Sequence, residues 1–315
     1  MNNKFWRGKK ILITGGGGFL GHHLLRLLQK GKTIDIFAPN SRDYDLRSRT
    51  KCKKVVQGVD IVIHLAAKVG GIGFNIKYPG EMLYDNIMIG AQLMEEARRA
   101  GVEKFVAIGT VCSYPKYTPI PFKEDDLWNG YPEETNAPYG LAKKMLLVQA
   151  QAYRRQYGFN AITLIPVNMY GPGDNFDESS SHVIPALIKK VIQAKQKKEK
   201  EVIVWGTGRA TREFLYVEDC ARAIIKATEK YNKSEPVNIG AGFEISIKEL
   251  VHMICKILYF HGQIVWDKSK PDGQPRRKLN TTRALREFGF IAQTPFVKGL
   301  RKEIDWYLEN SRISV

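Results

Sequence analysis

Tyr139 and Lys143 stand four residues apart in Tyr139-Gly-Leu-Ala-Lys143, and Thr110 follows the apolar run Lys104–Ile108. On a helix four residues advance about 400°, so the phenol and the amine project from one face. An ammonium there favours the phenolate and lowers the tyrosine pKa. A threonine hydroxyl brought to the same place completes an acid–base set for a carbonyl oxygen, the chemistry that accompanies hydride movement at the adjoining carbon. Taken alone, Tyr-x-x-x-Lys reads equally well as an exposed helical pair contributing about 0.2–0.5 kcal/mol. The elements around it decide between the two.

Lys10-Ile-Leu-Ile-Thr14 has the unbroken apolar character of a buried parallel strand. Gly15, Gly18 and Gly21 follow it at dinucleotide-fingerprint spacing, with Phe19 and Leu20 opening an apolar helix to Leu28. Glycines there let backbone amides reach a pyrophosphate at the helix amino terminus, where the dipole favours negative charge. A plain strand-to-helix turn, the competing reading, has to account for strand, helix and position together. The second strand, Thr33–Phe37, ends in Ala38-Pro-Asn-Ser41-Arg42. An NAD-selective fold places an acid there for the ribose 2′-hydroxyl. Ser41 and Arg42 suit the 2′-phosphate of NADP instead, while Arg42 as a surface charge beside Asp43 leaves NAD possible.

A third strand over Asp60–Leu65 delivers Ala66, Ala67 and Lys68 to its carboxyl end, where doubly wound sheets bind ligands. Pro79–Ala100 carries Met82, Ile89, Leu93 and Ala97 at helical spacing, with Asn86 read as an exposed polar residue. Prolines 115, 119, 121, 132 and 138 rule out a long helix before the one carrying Tyr139, which runs to about Tyr157. Ala161–Pro166 is another strand. Smaller elements follow: a helix from Val183, a strand at Val202–Val204 and a helix over Asp219–Tyr231. Ser246-Ile-Lys-Glu249 is a capping box, and Thr294-Pro295 reads as cap and first-turn proline of the last helix. The expected fold class is α/β: a Rossmann-type doubly wound parallel sheet over residues 1–167, with a returning segment near 202–232, and a smaller C-terminal α/β substrate lobe over 168–315.

Composition narrows the function classes. The 315-residue chain has a formal charge of +17, yet its lysines and arginines are scattered, which speaks against nucleic acid and for attraction of an anionic nucleotide substrate. Cysteines 52, 112, 220 and 255 have neither metal-ligand spacing nor the density of a disulfide framework, so free thiols and no metal are expected. No apolar run reaches the 18 or so residues that cross a bilayer, and the start lacks a signal-peptide core, so a cytoplasmic location away from membranes is expected.

Seven ordered stretches carry a resemblance: His64-Leu-Ala-Ala-Lys-Val-Gly-Gly71, Gly109-Thr-Val-Cys-Ser-Tyr-Pro-Lys116, Glu134-Thr-Asn-Ala-Pro-Tyr-Gly-Leu-Ala-Lys143, Asn168-Met-Tyr-Gly-Pro-Gly-Asp-Asn-Phe176, Ser181-His-Val-Ile-Pro185, Arg212-Glu-Phe-Leu215 and Lys270-Pro-Asp-Gly273. Over its whole length the chain resembles the extended short-chain dehydrogenase/reductases, and more narrowly the GDP-L-fucose synthases. The resemblance implies a cytoplasmic homodimer, built from the helices around 86–100 and 143–157. Its implied reaction is NADPH-dependent 3,5-epimerisation and 4-keto reduction of a GDP-4-keto-6-deoxy-sugar. Tyr139, Thr110 and Lys143 would serve the reduction, and Cys112 and His182 would move protons at C3 and C5. Gly15, Gly18, Phe19, Leu20, Gly21, Ser41, Arg42, Asp45, Leu46, Ala66, Ala67, Lys68, Tyr139, Lys143, Pro166 and His182 would bind NADP. Asn168, Lys190, Trp205, Arg212, Asp272 and Arg277 would bind the nucleotide sugar.

Bland readings compete for four of these residues: a small core residue for Cys112, a capped or surface residue for His182, core burial for Trp205, and an ion pair with Glu218 or Asp219 for Arg212. The chain also departs from the family pattern. Gly16 and Gly17 replace a frequent basic residue of the glycine loop, Thr110 a serine, Lys190 an arginine, Arg277 a lysine and Asn280 an acid. These exchanges leave open an NAD(P)-dependent 4-epimerase or a simple 4-reductase of UDP- or dTDP-sugars.

Overall fold

Apolar runs that alternate with longer amphipathic stretches become strands and covering helices in turn. The computed structural model describes residues 2–31, 34–178, 180–270 and 272–311. In chain order the first half forms α1 (Asn3–Trp6), β1 (Lys10–Thr14), α2 (Phe19–Gln29), β2 (Asp35–Phe37), α3 (Arg49–Val55), β3 (Ile61–His64), α4 (Ile72–Lys77), α5 (Pro79–Arg99), β4 (Lys104–Ile108), α6 (Ala137–Tyr157) and β5 (Ala161–Pro166). Then come β6 (Asn168–Tyr170), α7 (Val183–Gln196), β7 (Glu201–Trp205), β8 (Thr211–Arg212), β9 (Phe214–Tyr216), α8 (Val217–Lys230), β10 (Val237–Ile239), β11 (Ile245–Ser246), α9 (Ile247–Ile257), β12 (Gln263–Asp267), α10 (Thr282–Phe288) and α11 (Phe296–Asn310). Thr33, the expected start of the second strand, lies outside the described residues. The proline-rich stretch holds only short 3-10 turns at Val111–Ser113 and Glu124–Trp128.

Six strands make one parallel sheet in the order β10-β5-β4-β3-β1-β2. Helices cover both faces of such a sheet, which is why β3, β4 and β5 are buried at every position. Ile11, Leu24, Val106, Ile224 and Phe288 pack one face; Leu12, Cys52, Val62, Leu93, Phe105 and Leu146 pack the other. Each such aliphatic side chain contributes about 2 kcal/mol by leaving water. Strand order reverses between β1 and β3, and that switch point opens a crevice at their carboxyl ends.

After β5 the chain leaves the sheet and later returns, with α8 lying on α2 and β10 pairing with β5. The return spans 217–239, not the expected 202–232. The strand at 201–205 pairs instead with β12, and it alternates Val202 and Val204 inward with Ile203 and Trp205 outward. That period of two marks a strand with one wet face, which a doubly covered sheet does not use. Lys104 fixes the return: its buried Nζ donates to the carbonyls of Thr228 and Tyr231 at 2.6 Å and to Asn232 Oδ1 at 2.9 Å, a cation at the carboxyl end of α8.

A second core, including Ile188, Val191, Leu250, Ile254, Leu300 and Ile304, joins α7, α9 and α11. The capping box forms as expected, Ser246 Oγ accepting the Glu249 N–H at 3.1 Å and Glu249 Oε2 accepting the Ser246 N–H at 2.9 Å. The last helix differs. It begins at Phe296 with Pro295 in the cap position, because Asp219 takes the N–H groups of Gln293 at 3.1 Å and Thr294 at 2.9 Å. Among the described residues no helix is long and apolar enough to cross a membrane.

Candidate active site

The crevice walls are backbone. Thr14 and His64, register partners on β1 and β3, meet with Oγ1 2.8 Å from Nδ1, and Thr14 Oγ1 also accepts the Ala66 N–H at 3.3 Å. Burial, with Lys143 second, pushes the His64 pKa down to about 3, so this ring is neutral. Gly15 has φ +73°, and a Cβ there would come 2.8 Å from the Ala66 nitrogen. Gly21 lies so close to the Gly15 carbonyl that any side chain collides with it. Gly18, the cap residue of α2, makes no side-chain cap, so first-turn N–H groups at Phe19, Leu20 and Gly21 are available to an anion. A dinucleotide pyrophosphate fits that donor set.

Asn86 was expected on the surface, yet it is buried and clamps the loop after β3. Its Oδ1 accepts the Lys68 N–H at 3.0 Å, and its Nδ2 donates to the Lys68 carbonyl at 2.9 Å and the Met82 carbonyl at 2.7 Å. The amide satisfies backbone groups that Ala66-Ala67-Lys68 leaves unpaired. The Lys68 ammonium pairs with Glu81 and, at 3.1 Å, with Asp85. Arg47 reaches Asp85 at 3.3 Å and Asp45 at 2.8 Å, so Asp45 is committed to an arginine. Leu46 is buried with the core under α3. Ser41 and Arg42 are exposed on a turn whose Asn40 Oδ1 accepts the Arg42 N–H at 2.9 Å. Pro166 closes β5 opposite Ile239.

Thr110 follows β4 and caps the turn Val111–Ser113, its Oγ1 accepting the Cys112 N–H at 3.2 Å, which leaves the hydroxyl hydrogen to give. The turn docks on α6 through Gly140, where a Cβ would collide with the Cys112 carbonyl, and Ser113 Oγ donates to the Gly140 carbonyl at 2.9 Å. Tyr139 and Lys143 share the helix on which this turn docks, the ammonium 5.9 Å from the Tyr139 ring centroid. One expectation is corrected. The Tyr139 pKa lies above its ordinary value, pushed up by burial and then by Cys112. Lys143 is itself buried, and its pKa falls to about 8. Desolvation dominates at both groups and favours the protonated phenol.

Across the cleft the walls are side chains. Arg277 Nη1 donates to Cys112 Sγ at 3.7 Å, and the thiol faces Asn136 Oδ1 at 3.8 Å. Buried Arg212 donates to the carbonyls of Thr211 at 2.8 Å and Asp272 at 3.0 Å. Burial, then the neighbouring Arg277 charge, pushes the Arg212 pKa down to about 9. Two cations held close together out of water are stabilised by an anion such as a diphosphate. Glu218 pairs with Arg26, and Asp219 with Arg222, so the ion-pair reading of Arg212 is excluded. Asp272 spends its carboxylate on the Thr207 N–H and hydroxyl, both at 2.7 Å. Trp205 is 55% exposed, which excludes core burial; the ammonium groups of Lys190 and Lys270 each lie 5.5 Å from its ring. Asn168 is half-buried at the head of β6. Pro271, inside the Lys270–Gly273 motif, lies outside the described residues.

His182 is the exposed cap residue of α7, with Nδ1 3.9 Å from Asp174 Oδ1. A relay of contacts leads from this segment to the catalytic turn. The Gly71 N–H donates to the Ser180 carbonyl at 3.0 Å, Asn75 Nδ2 on α4 donates to Asn136 Oδ1 at 3.2 Å, and Asn136 meets Cys112. Sequence reasoning missed Asn136, His64, Asp174 and Glu213. Buried Glu213 accepts the N–H groups of Ala241 at 2.6 Å and of Gly242 and Leu279 at 2.7 Å, holding the loop that bears Arg277. A carboxylate directly before the apolar run Phe214–Val217 was the available signal, since a buried acid needs donors.

The family model described as "NAD dependent epimerase/dehydratase family" matches residues 11–240. The chain is 40% identical over 305 residues to the GDP-L-fucose synthase of Sinorhizobium fredii, covering 96% of each. A GDP-6-OMe-4-keto-L-xylo-heptose reductase from C. jejuni superposes with a TM-score of 0.91 at 26% identity, over 98% of this chain and 99% of that one. A GDP-L-fucose synthetase from Naegleria fowleri bound to NADP gives a TM-score of 0.86 at 29% identity, over 98% and 96%.

Proposed function

The chain belongs to the NAD dependent epimerase/dehydratase family, and from that premise we propose that it carries out NADPH-dependent 3,5-epimerisation and 4-keto reduction of a GDP-4-keto-6-deoxy-sugar, giving GDP-L-fucose or a close relative. The observation that carries this reading is the Tyr139–Lys143 pair on the helix where the turn bearing Thr110 and Cys112 docks, with the Cys112 thiol meeting Arg277 from the other lobe. A plain hydride-transfer site has no use for that thiol.

Gly15, Gly18 and the first turn of α2 would hold the pyrophosphate of NADPH, which supplies the hydride for C4. Protons at C3 and C5 are acidic because the C4 ketone accepts the charge. Cys112 and His182 take and return them on opposite ring faces, while Thr110 and Tyr139 donate hydrogen bonds to the developing enolate oxygen. Tyr139, kept protonated by burial, then gives its proton to the C4 oxygen. Lys143 places a positive charge beside that exchange, and Arg212 and Arg277 grip the diphosphate. Trp205 with Lys190 and Lys270 offers a face for base or sugar. The bound NADP of the Naegleria relative supports NADP, as do Ser41 and Arg42.

Residues 1–167 with the return would form the cofactor unit, and 168–315 the substrate lobe. Leu83, Tyr84, Met145, Val148 and Tyr157, exposed on α5 and α6, support a homodimer through these helices, and four free cysteines suit a reducing cytoplasm. A second reading, C4 reduction of a GDP-heptose without epimerisation, is favoured by the likeness to the C. jejuni reductase. Incubation with NADPH and either GDP-4-keto-6-deoxymannose or a GDP-4-keto-heptose in deuterated water, read by NMR, separates the two. Deuterium at C3 and C5 with NADPH oxidation is expected for the first; its absence there removes the epimerase half of the proposal.

A further inference from the structure

Behind His182 lie two carboxyl groups that the reaction above leaves unused. The Asp174 side chain is 3% exposed; its Oδ1, which accepts the Asn175 N–H at 2.7 Å, lies 3.9 Å from His182 Nδ1. Its Oδ2 is buried with no hydrogen-bond partner among the described residues, and the same holds for both oxygens of Glu303, a fully covered side chain on α11. The loop bearing Asp174 is pinned from two sides. His23 of α2 contacts the Pro172 carbonyl through Nε2 at 2.7 Å, and Phe176 stacks on Tyr307 of α11 with centroids 4.0 Å apart. His182, 54% exposed, is the solvent-facing member of the group.

We propose that Asp174 is the positioning carboxylate of His182, and that Glu303, delivered by the last helix, is the group that holds a proton beside it. The proposal rests on the reading of His182 as the acid–base group of the epimerisation. Two adjacent buried carboxyls do not both ionise. Burial, and then Asp174, push Glu303 well above the usual carboxylate range. Asp174 Oδ1 is the carboxylate oxygen that faces His182 Nδ1. An anion at Nδ1 selects the Nδ1–H tautomer and leaves the Nε2 lone pair for proton transfer. Closing 3.9 Å to hydrogen-bond length takes only a small turn of the imidazole. Tyr170 and Tyr216, which face Glu303 from β6 and β9, are held neutral by burial, and Glu178 is paired with Lys189 at 3.1 Å.

The test uses the full chain labelled with 15N. Two-bond proton–nitrogen correlations report the His182 tautomer, and solvent deuterium uptake into the 4-keto sugar reports its chemistry. Wild type is expected as Nδ1–H. Asp174→Asn is expected to switch the ring to Nε2–H and to slow exchange at one ring carbon about 10- to 100-fold, with KM within about threefold. Glu303→Gln mimics the protonated acid and is expected to keep the Nδ1–H tautomer. A carboxyl whose native pKa is raised costs stability as pH climbs above its unfolded value, so Glu303→Gln should lose less melting temperature than wild type between pH 5 and pH 8. An Nε2–H tautomer in wild type, or a Glu303→Gln variant that switches tautomer as Asp174→Asn does, overturns the assignment. Should Asp174→Asn fail to fold, those two readouts still decide it. If His182→Asn itself leaves deuterium uptake intact, the acid–base reading of His182 falls, while the tautomer result stands separately.

Discussion

At the carboxyl ends of β1 and β3 the crevice is lined with backbone: Gly15 against Ala66, Gly21 against the Gly15 carbonyl, a helix end with bare N–H groups. The opposite wall is made of Arg212, Arg277, Trp205 and Lys190, long side chains that arrive from β7, β8, α7 and a loop near 277. A backbone wall is fixed by what must be absent, so its parts fail all at once when a Cβ is added. A side-chain wall is graded, because each member adds its own contact to a ligand that the others still hold. The contrast predicts where substitutions act on kcat and where on KM.

Tyr139→Phe should have the largest effect. It removes the only proton the phenol can give and leaves the ring in place, so ketone reduction should fall about 1,000-fold or more while NADPH binding persists. NADPH oxidation for turnover and calorimetry for binding check both halves. Retained turnover breaks the assignment, and lost cofactor binding means that the ring shapes the crevice itself.

Arg212→Gln should come next and act on the other wall. It removes a charge-assisted contact to the diphosphate but not the chemistry, so KM should rise about 100-fold with kcat within about fivefold. A fall in kcat of the same size makes Arg212 part of the reacting constellation, and the contrast between the walls then loses its sharpest case.

The backbone wall was legible because each of its parts is local. Strand, glycine spacing and helix follow one another within residues 10–29, and Tyr139 and Lys143 are one helical turn apart. What escaped depends on pairs remote in the chain. His64 looks like any strand residue until β3 is registered against β1 and meets Thr14. Asn86 reads as exposed because its partners, the Lys68 N–H and carbonyl, lie on another element. Glu213 and Arg277 become a unit only when the Leu279 N–H reaches the Glu213 carboxylate. The lowered phenol pKa failed for a related reason: helical spacing shows that two groups are neighbours, not that both are desolvated.

That desolvation gives the backbone wall its own pH signature. Burial pushes the Lys143 pKa down to about 8, so the ammonium, and the positive charge it lends the reaction, disappear as pH rises through that value. The rate kcat for reduction should fall about tenfold per pH unit on the alkaline side, measured by NADPH oxidation from pH 6 to pH 10. Stability moves the other way. The native pKa lies below the unfolded value of about 10.4, so this group's cost to folding is complete below pH 8 and fades between the two. A kcat flat to pH 9.5 places the working charge elsewhere.

Trp205→Ala is the mildest change and the finest test of a graded wall. The ring is 55% exposed on the wet face of β7, so its removal opens no cavity and should leave the melting temperature within about one degree. Its neighbours Lys190 and Lys270 lose an aromatic face that keeps two ammonium groups 5.5 Å from its centre. Such cation–π contacts at exposed sites contribute about 0.5–1 kcal/mol each, so KM should rise only about three- to tenfold, with kcat unchanged. Titration of GDP alone against the variant locates the loss. Weaker GDP binding puts the ring under the base or the diphosphate, whereas unchanged GDP binding with a raised KM puts it under the sugar. If neither changes, Trp205 is no part of the wall, and only the two arginines and Lys190 remain to hold the nucleotide.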